Sequence, residues 1–362
     1  MTIDRRAERQ DQVRTVLARD GLDALLVTHL PNIRYLTGYT GTAGLLLMRP
    51  GDAVLVTDFR YAVQAPLEVG SSAAVAVDQR NVWERLGRVI AASPASAIGI
   101  ESATLTVRDA ERLGALGRFK VVPTLDVVER LRATKSPEEV AAIQAAAALA
   151  QDALAELLPS VRPGETELDV SARLEGALRR RGSEWHPFQT IVASGPRAAL
   201  PHARTSTRTI GRGDWLLIDF GAQVDGYCAD LTRTVVVGAR GDEKQRSVYE
   251  LVRSAQLRAI TNLSAGMTGR EGDALARDAI AAGGYGEAFG HSLGHGLGLE
   301  VHEAPRLSPT ADATLPLHAV VTVEPGIYLP GWGGVRLEDD VYLAPDGPRC
   351  LSDNRTELLE LV

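Results

Sequence analysis

Only two cysteines, Cys228 and Cys350, occur in 362 residues. Two thiols cannot build a disulfide framework for a chain this long, and their scarcity fits a reducing, cytoplasmic setting. No cysteine pair has zinc-site spacing, and there is no His-Glu-x-x-His helix. Lysine is almost missing: Lys120, Lys135 and Lys244 are the only three among 39 basic residues. No function follows from that bias. The formal charge of -7 leaves no basic surplus for a nucleic-acid partner. No apolar run approaches the roughly 20 residues of a membrane span, which argues against a membrane partner. The first twenty-one residues mix charges with scattered apolar side chains, and so read as an amphipathic helix rather than a signal peptide.

What is present is enough apolar material, 45% of the chain, for two domains. Strand-like runs at 24–28, 43–48 and 53–57 alternate with helical stretches to about Leu131. Ser136-Pro137-Glu138-Glu139 then opens an alanine-rich helix with a capping box and proline at the first helical position. The linker is expected near 125–135. The reading is a mixed α/β (α+β) protein with an accessory domain over 1–130 and a catalytic domain over 131–362.

Five residues of the second half stand out: Asp219, Asp230, His295, Glu324 and Glu338. Each lies in an apolar strand-like run or a glycine turn, where an acid needs a reason. Residues 215–237 form two β-rich runs around Gln223-Val224-Asp225-Gly226, a hairpin signal. If Val224 and Asp225 are central, Asp219 pairs with Asp230. If Asp225 and Gly226 are central, it pairs with Thr232. Either register brings the two acids close, and a cation between them would remove their repulsion. Four glycines in the nine residues Gly290 to Gly298 exclude a helix there, so His291 and His295 sit on extended or turning backbone. One imidazole among carboxylates favours Mn²⁺, with Co²⁺ or Zn²⁺ as alternatives. A faint repeat of about 100 residues relates Pro201-His202 to Val301-His302, and Ile218-Asp219-Phe220-Gly221 to Val323-Glu324-Pro325-Gly326.

The strings IDFGAQVDGYCADLTRT, HSLGHGLGLEVHEAPR, TVEPGIY and GGVRLEDD carry a resemblance. In their order they resemble the pita-bread metallopeptidases, and within these the Xaa-Pro dipeptidases (prolidases) and aminopeptidases P. The resemblance spans about 132–362, and the N-terminal half is similar to the creatinase-like domain of those subfamilies. It implies a pseudo-twofold catalytic domain with two divalent ions, bridged by Asp219 and Glu338. Asp230 would complete one ion, and His295 with Glu324 the other. It also implies Glu324 as proton shuttle, His202 and His302 as substrate-binding and oxyanion-stabilising imidazoles, and His291 as a further active-site histidine. Arg306 is expected to receive the C-terminal carboxylate of a dipeptide. Arg336 is expected at the substrate or as the partner orienting Glu338. Phe188, Tyr227 and Trp332 are candidates for the proline pocket by nearness to the motifs.

The expected activity is hydrolysis of the Xaa-Pro imide bond in small proline-containing peptides by a prolidase. The alternatives are an aminopeptidase P acting on longer peptides and a peptide-binding module without catalysis. The resemblance further suggests a homodimer. Methionine aminopeptidases share the fold, but the typical bacterial enzyme lacks an N-terminal domain of this size.

Overall fold

Short apolar runs near the start of the chain become the strands of a six-stranded sheet in the computed structural model, which describes residues 4–93, 95–352 and 357–362. The chain divides into two compact units, Met1–Arg132 and Ala133–Val362. In the first, β1 (Ala24–Val27), β2 (Leu45–Met48), β3 (Ala53–Asp58), β4 (Ala74–Asp78), β5 (Ala97–Glu101) and β6 (Lys120–Thr124) are ordered β4-β3-β2-β1-β5-β6. β1, β2 and β3 pair antiparallel, whereas β3–β4, β1–β5 and β5–β6 are parallel. Parallel neighbours require crossovers. The helices Gln64–Val69, Val82–Ala92 and Val107–Gly114 supply them. The opening helix, Arg6–Asp20, buries Gln10, Val13 and Leu17, one face of an amphipathic helix.

The second unit is built twice over. Helices Pro137–Leu157 and Glu167–Arg180 precede one set of strands, and helices Glu243–Asn262 and Gly269–Ala282 precede another. All four start at a capping box: Ser136/Glu139, Thr166/Asp169, Asp242/Gln245 and Thr268/Glu271. The first set is β7 (Ile191–Ser194), β8 (Trp215–Val224) and β9 (Tyr227–Val237), with β17 (Glu360–Leu361) added at the edge. The second is β10 (Gly294–Gly296), β11 (Glu303–Leu307), β12 (Val320–Val323), β15 (Asp339–Ala344) and β16 (Gly347–Cys350). Between β12 and β15 the small hairpin of β13 (Gly326–Leu329) and β14 (Gly333–Arg336) is inserted.

Asp225 and Gly226 form the two-residue loop between β8 and β9, both with positive φ (50° and 77°). Of the two registers open to the sequence, the structure adopts the one that pairs Asp219 with Thr232; Asp230 then lies opposite Gly221. The period of two assigns faces. Leu216, Ile218, Phe220, Ala229 and Leu231 pack with the helices Pro137–Leu157 and Glu167–Arg180. Asp219, Asp230, Thr232 and Thr234 point the other way, toward the second set of strands. The sets meet where the Glu338 N–H donates to the Thr232 carbonyl at 3.1 Å.

One expectation needs correction. Pro137–Ser160 is, by length and composition, apolar enough to cross a membrane, because runs of alanine carry the hydropathy across the polar breaks at Gln144 and Gln151. In the fold, its Ile143, Ala146, Ala147, Ala150, Ala153 and Leu157 are buried as those of a core helix are.

Candidate metal centre

Acids in or beside buried strands become a centre because the two halves present them to one cleft of about 390 Å³. Its walls include Asp219, Asp230, His291, His295, Glu324 and Glu338, with His202, His302, Arg306, Arg336 and Phe188 around them. Ligand atoms of Asp230, His295 and Glu338 all lie within 4.8 Å of one another. His295 Nε2 is 3.8 Å from Asp230 Oδ2 and 3.5 Å from Glu324 Oε1. The most compact group thus contains Asp230 rather than Asp219.

Glycine makes room for His295. A Cβ on Gly294 would lie 2.0 Å from the Thr322 carbonyl oxygen, and one on Gly296 2.1 Å from that of Ala304. Only bare backbone lets β10 run so close to both neighbours. His295 Nδ1 sits 3.0 Å from its neighbour's carbonyl at Gly296, which accepts only, so Nδ1 carries the proton and Nε2 faces the acids. Burial pulls His295 down to about 4, so the neutral, ligating form prevails.

The acids are short of positive charge. Burial, then the neighbouring carboxylates, push Asp230 and Glu338 well above the usual range, and burial takes Glu324 to about 8. Burial also raises Asp219 against the pull of Arg336, whose Nη2 donates to Asp219 Oδ2 at 2.5 Å. Asp219 Oδ1 and Asp230 Oδ1 are buried without a hydrogen-bond partner among the described residues. Orphaned carboxylate oxygens beside a bare imidazole nitrogen are the donor set of a divalent cation site, so the residues fit the metals.

Three placements correct the sequence reading. Arg336 does not orient Glu338 through its side chain: it donates to Asp219, to Tyr328 Oη at 2.9 Å, to Thr232 Oγ1 at 3.1 Å and to the Pro201 carbonyl at 3.2 Å. Glu338 is held by Thr232, whose hydroxyl donates to Oε2 at 2.5 Å. Tyr227 is absent from the cleft wall: its hydroxyl donates to Glu139 Oε1 at 2.7 Å, and its ring packs with Ile143, Leu297 and Val320. Trp332 is also absent, packed edge-on against Trp215 with the Lys244 ammonium 4.5 Å from its ring centroid. Phe188 does line the cleft. Exposed Arg306 reaches it from β11, opposite His295.

Several functional residues escape a linear reading. Tyr328 Oη lies 2.8 Å from His291 Nε2, and His291 Nδ1 2.8 Å from the Ser292 carbonyl. The proton is therefore on Nδ1, and Tyr328 donates to Nε2 while accepting from Arg336. Burial lowers His291 to about 4. The loop bearing His291 is clamped by buried Asp273, which accepts the Leu293 N–H at 2.9 Å, and by Arg277, which donates to the carbonyls of Phe289 and His291. Buried Asp340 takes the Asp230 N–H at a long 3.3 Å. Tyr328 and Asp340 lie inside the quoted strings, so proximity to a ligand was the available signal; for Asp273 there was none. His302 stacks edge-on with His295, ring centroids 4.3 Å apart.

A buried cluster of four carboxylates and one imidazole, in a cleft between repeated halves, defines a metal-dependent hydrolase. The chain belongs to metallopeptidase family M24: that family's pattern matches residues 141–345, and that of the Creatinase/Prolidase N-terminal domain matches 9–134. The expected pita-bread fold and enzymatic class hold. The chain is similar to the Xaa-Pro dipeptidase from Bacillus anthracis, 39% identical, covering 98% of this chain and 100% of that one with a TM-score of 0.95. It is also similar to the X-Pro aminopeptidase from Thermotoga maritima MSB8 (36%, 97% and 99%, 0.90) and to the prolidase from Pyrococcus horikoshii OT3 (35%, 97% and 100%, 0.92). Membership of this family implies divalent metal ions.

Proposed function

We propose that this chain is a Xaa-Pro dipeptidase that uses two divalent ions, Mn²⁺ by preference, with Co²⁺ or Zn²⁺ able to substitute. The observation that carries the reading is the convergence of all five ligand-type side chains on one cleft in a chain similar over nearly its full length to Xaa-Pro dipeptidases. Asp219, Asp230, His295, Glu324 and Glu338 would hold the ions. Ligand atoms of Asp230, His295 and Glu338 within 4.8 Å of one another support a cation at this place.

When bound, the ions supply Lewis acidity and make water acidic enough to ionise near neutral pH. The chain's own groups do the rest. A Glu324 carboxylate oxygen takes the proton released by the attacking water and delivers it to the imide nitrogen as the C–N bond breaks. His202 and His302 hold the substrate and the carbonyl oxygen as negative charge builds on it. His291, fixed by Tyr328, lies with Nδ1 4.0 Å from Glu324 Oε2 and limits where that carboxylate can swing. Arg306 receives the free carboxylate of the dipeptide, for which a guanidinium fork is suited. A proline-directed enzyme suits such a site because the imide lacks the N–H that extended-backbone proteases grip.

Cytoplasmic location and a homodimer are part of the same proposal, supported by two free cysteines and by the resemblance, respectively. Turnover of Ala-Pro and Ala-Pro-Ala by metal-stripped protein, before and after adding Mn²⁺, tests the function. Metal-dependent cleavage of Ala-Pro alone is the expected result. Cleavage of the tripeptide would move the assignment to aminopeptidase P, and no cleavage of either with any divalent ion would overturn it.

A further inference from the structure

We propose that Glu167 is a positioning residue for the reaction, fixing the loop that carries His202 and thereby the place of that imidazole in the cleft. The inference rests on the reading of His202 as a substrate-binding group. Glu167 opens the helix Glu167–Arg180 and is fully buried. A carboxylate so placed is costly unless hydrogen-bonded. Its Oε1 accepts from the Ser194 N–H at 2.8 Å and the Ser194 hydroxyl at 2.9 Å. Its Oε2 accepts from the Ser206 N–H at 3.0 Å and the Ser206 hydroxyl at 2.6 Å. Arg197 Nε lies 3.2 and 3.1 Å from the two oxygens.

All of these donors belong to one loop. The chain leaves β7 at Ser194, turns through Pro201 and His202 at the cleft wall, and returns at Ser206. One carboxylate therefore ties both ends of the excursion together. At its tip the Pro201 carbonyl accepts from Arg336 Nη1 at 3.2 Å, a long bond from a guanidinium that also serves Asp219 and Tyr328. Within the excursion the Ala203 N–H donates to the Leu200 carbonyl at 3.1 Å and Thr205 bonds back to Val192 and Thr190, so the loop is bonded within itself and the closure of its two ends at Glu167 sets where this unit, with His202, stands in the cleft. The second half uses the same device, where Asp273 and Arg277 tie the loop that bears His291.

Glu167→Gln keeps the volume but turns an amide NH₂ toward donors. In the Mn²⁺ enzyme, kcat/KM for Ala-Pro should fall about 10- to 100-fold, the cost of roughly 1 Å of misplacement, with metal content unchanged. His202→Ala should lose a similar factor, and the double variant should be no worse than His202→Ala within about twofold, because both act through one imidazole. Ser206→Ala, a milder cut at the same tie, should show the same non-additivity if Glu167→Gln folds poorly. Losses that multiply in the double variant would overturn the proposal. Side-chain NMR of labelled histidines in Zn²⁺-loaded protein gives a readout independent of turnover. The His202 signal, assigned by its disappearance in His202→Ala, should shift or broaden in Glu167→Gln while His318 stays in place; an unmoved His202 signal would overturn the proposal. Failure of wild-type protein to cleave Ala-Pro would instead count against the dipeptidase reading, and the NMR result would still decide the role of Glu167.

Discussion

At the scale of single residues, the acids were legible because a carboxylate in an apolar strand is expensive, whereas the aromatics were chosen by nearness along the chain. Nearness misleads in a strand. Tyr227 is three residues from Asp230, so the period of two sends it to the opposite face, where it meets Glu139 on the helix Pro137–Leu157. Arg336 ends β14 and Glu338 lies just before β15 in another sheet, so spacing along the chain does not put them on one face; the guanidinium reaches across to Asp219, a contact made by folding one half onto the other. Two substitutions separate ligand from support. Glu324→Gln removes the group assigned to carry the proton, and kcat on Ala-Pro should drop by about 10²- to 10⁴-fold with the fold retained. Retained turnover would confine the metals to a structural role. Thr232→Val removes the hydroxyl that donates to Glu338 Oε2 and accepts from Arg336 Nε. Its metal affinity should weaken by roughly 10- to 100-fold, read by competition with a chelator, because such supporting bonds orient the ligand. An unchanged affinity would mean that packing alone fixes Glu338.

Elements were legible where local chemistry specifies them. Ser136-Pro137-Glu138-Glu139 announces a helix, and the structure begins one at Pro137, with the Ser136 N–H bonded to Glu139 Oε2 at 2.8 Å. Replacing Ser136 by alanine should cost about 0.5 to 2 kcal/mol, visible as a lower urea midpoint with unchanged m-value and unchanged kcat. Loss of turnover greater than loss of stability would show that the helix start also shapes the cleft. The β8–β9 hairpin was legible as an element but not in register, because Val224-Asp225 and Asp225-Gly226 both make credible two-residue loops. Packing between the halves favours one of them. With Asp219 opposite Thr232, the Thr232 carbonyl meets the Glu338 N–H and its hydroxyl meets Glu338 Oε2, contacts that tie the two ligand-bearing hairpins together.

For the whole molecule, the repeat was visible only as a faint rhyme, because its purpose is geometric. Each half contributes two capped helices, an acid in or just after an apolar strand and a second acid on or just before the partner strand; neither half alone assembles the centre. The carboxylates of both halves face inward with Arg336 paired to only one of them, so the folded chain holds buried negative charge, or protons in its stead, until cations enter. Metal should therefore act on stability as well as on rate. A ligand present at a hundred times its Kd stabilises the native state by about 2.7 kcal/mol per site. Adding Mn²⁺ to chelator-treated protein should raise its melting temperature in step with the metal bound. In Asp230→Asn, which removes charge from the most compact part of the centre, the rise should be largely lost, while the metal-free form should melt at or above the metal-free wild type because one buried carboxylate no longer repels its neighbours. A melting temperature indifferent to Mn²⁺ in the wild type, or a metal-free Asp230→Asn protein markedly less stable than its parent, would show that the acids are held by contacts other than the ions they are built to receive.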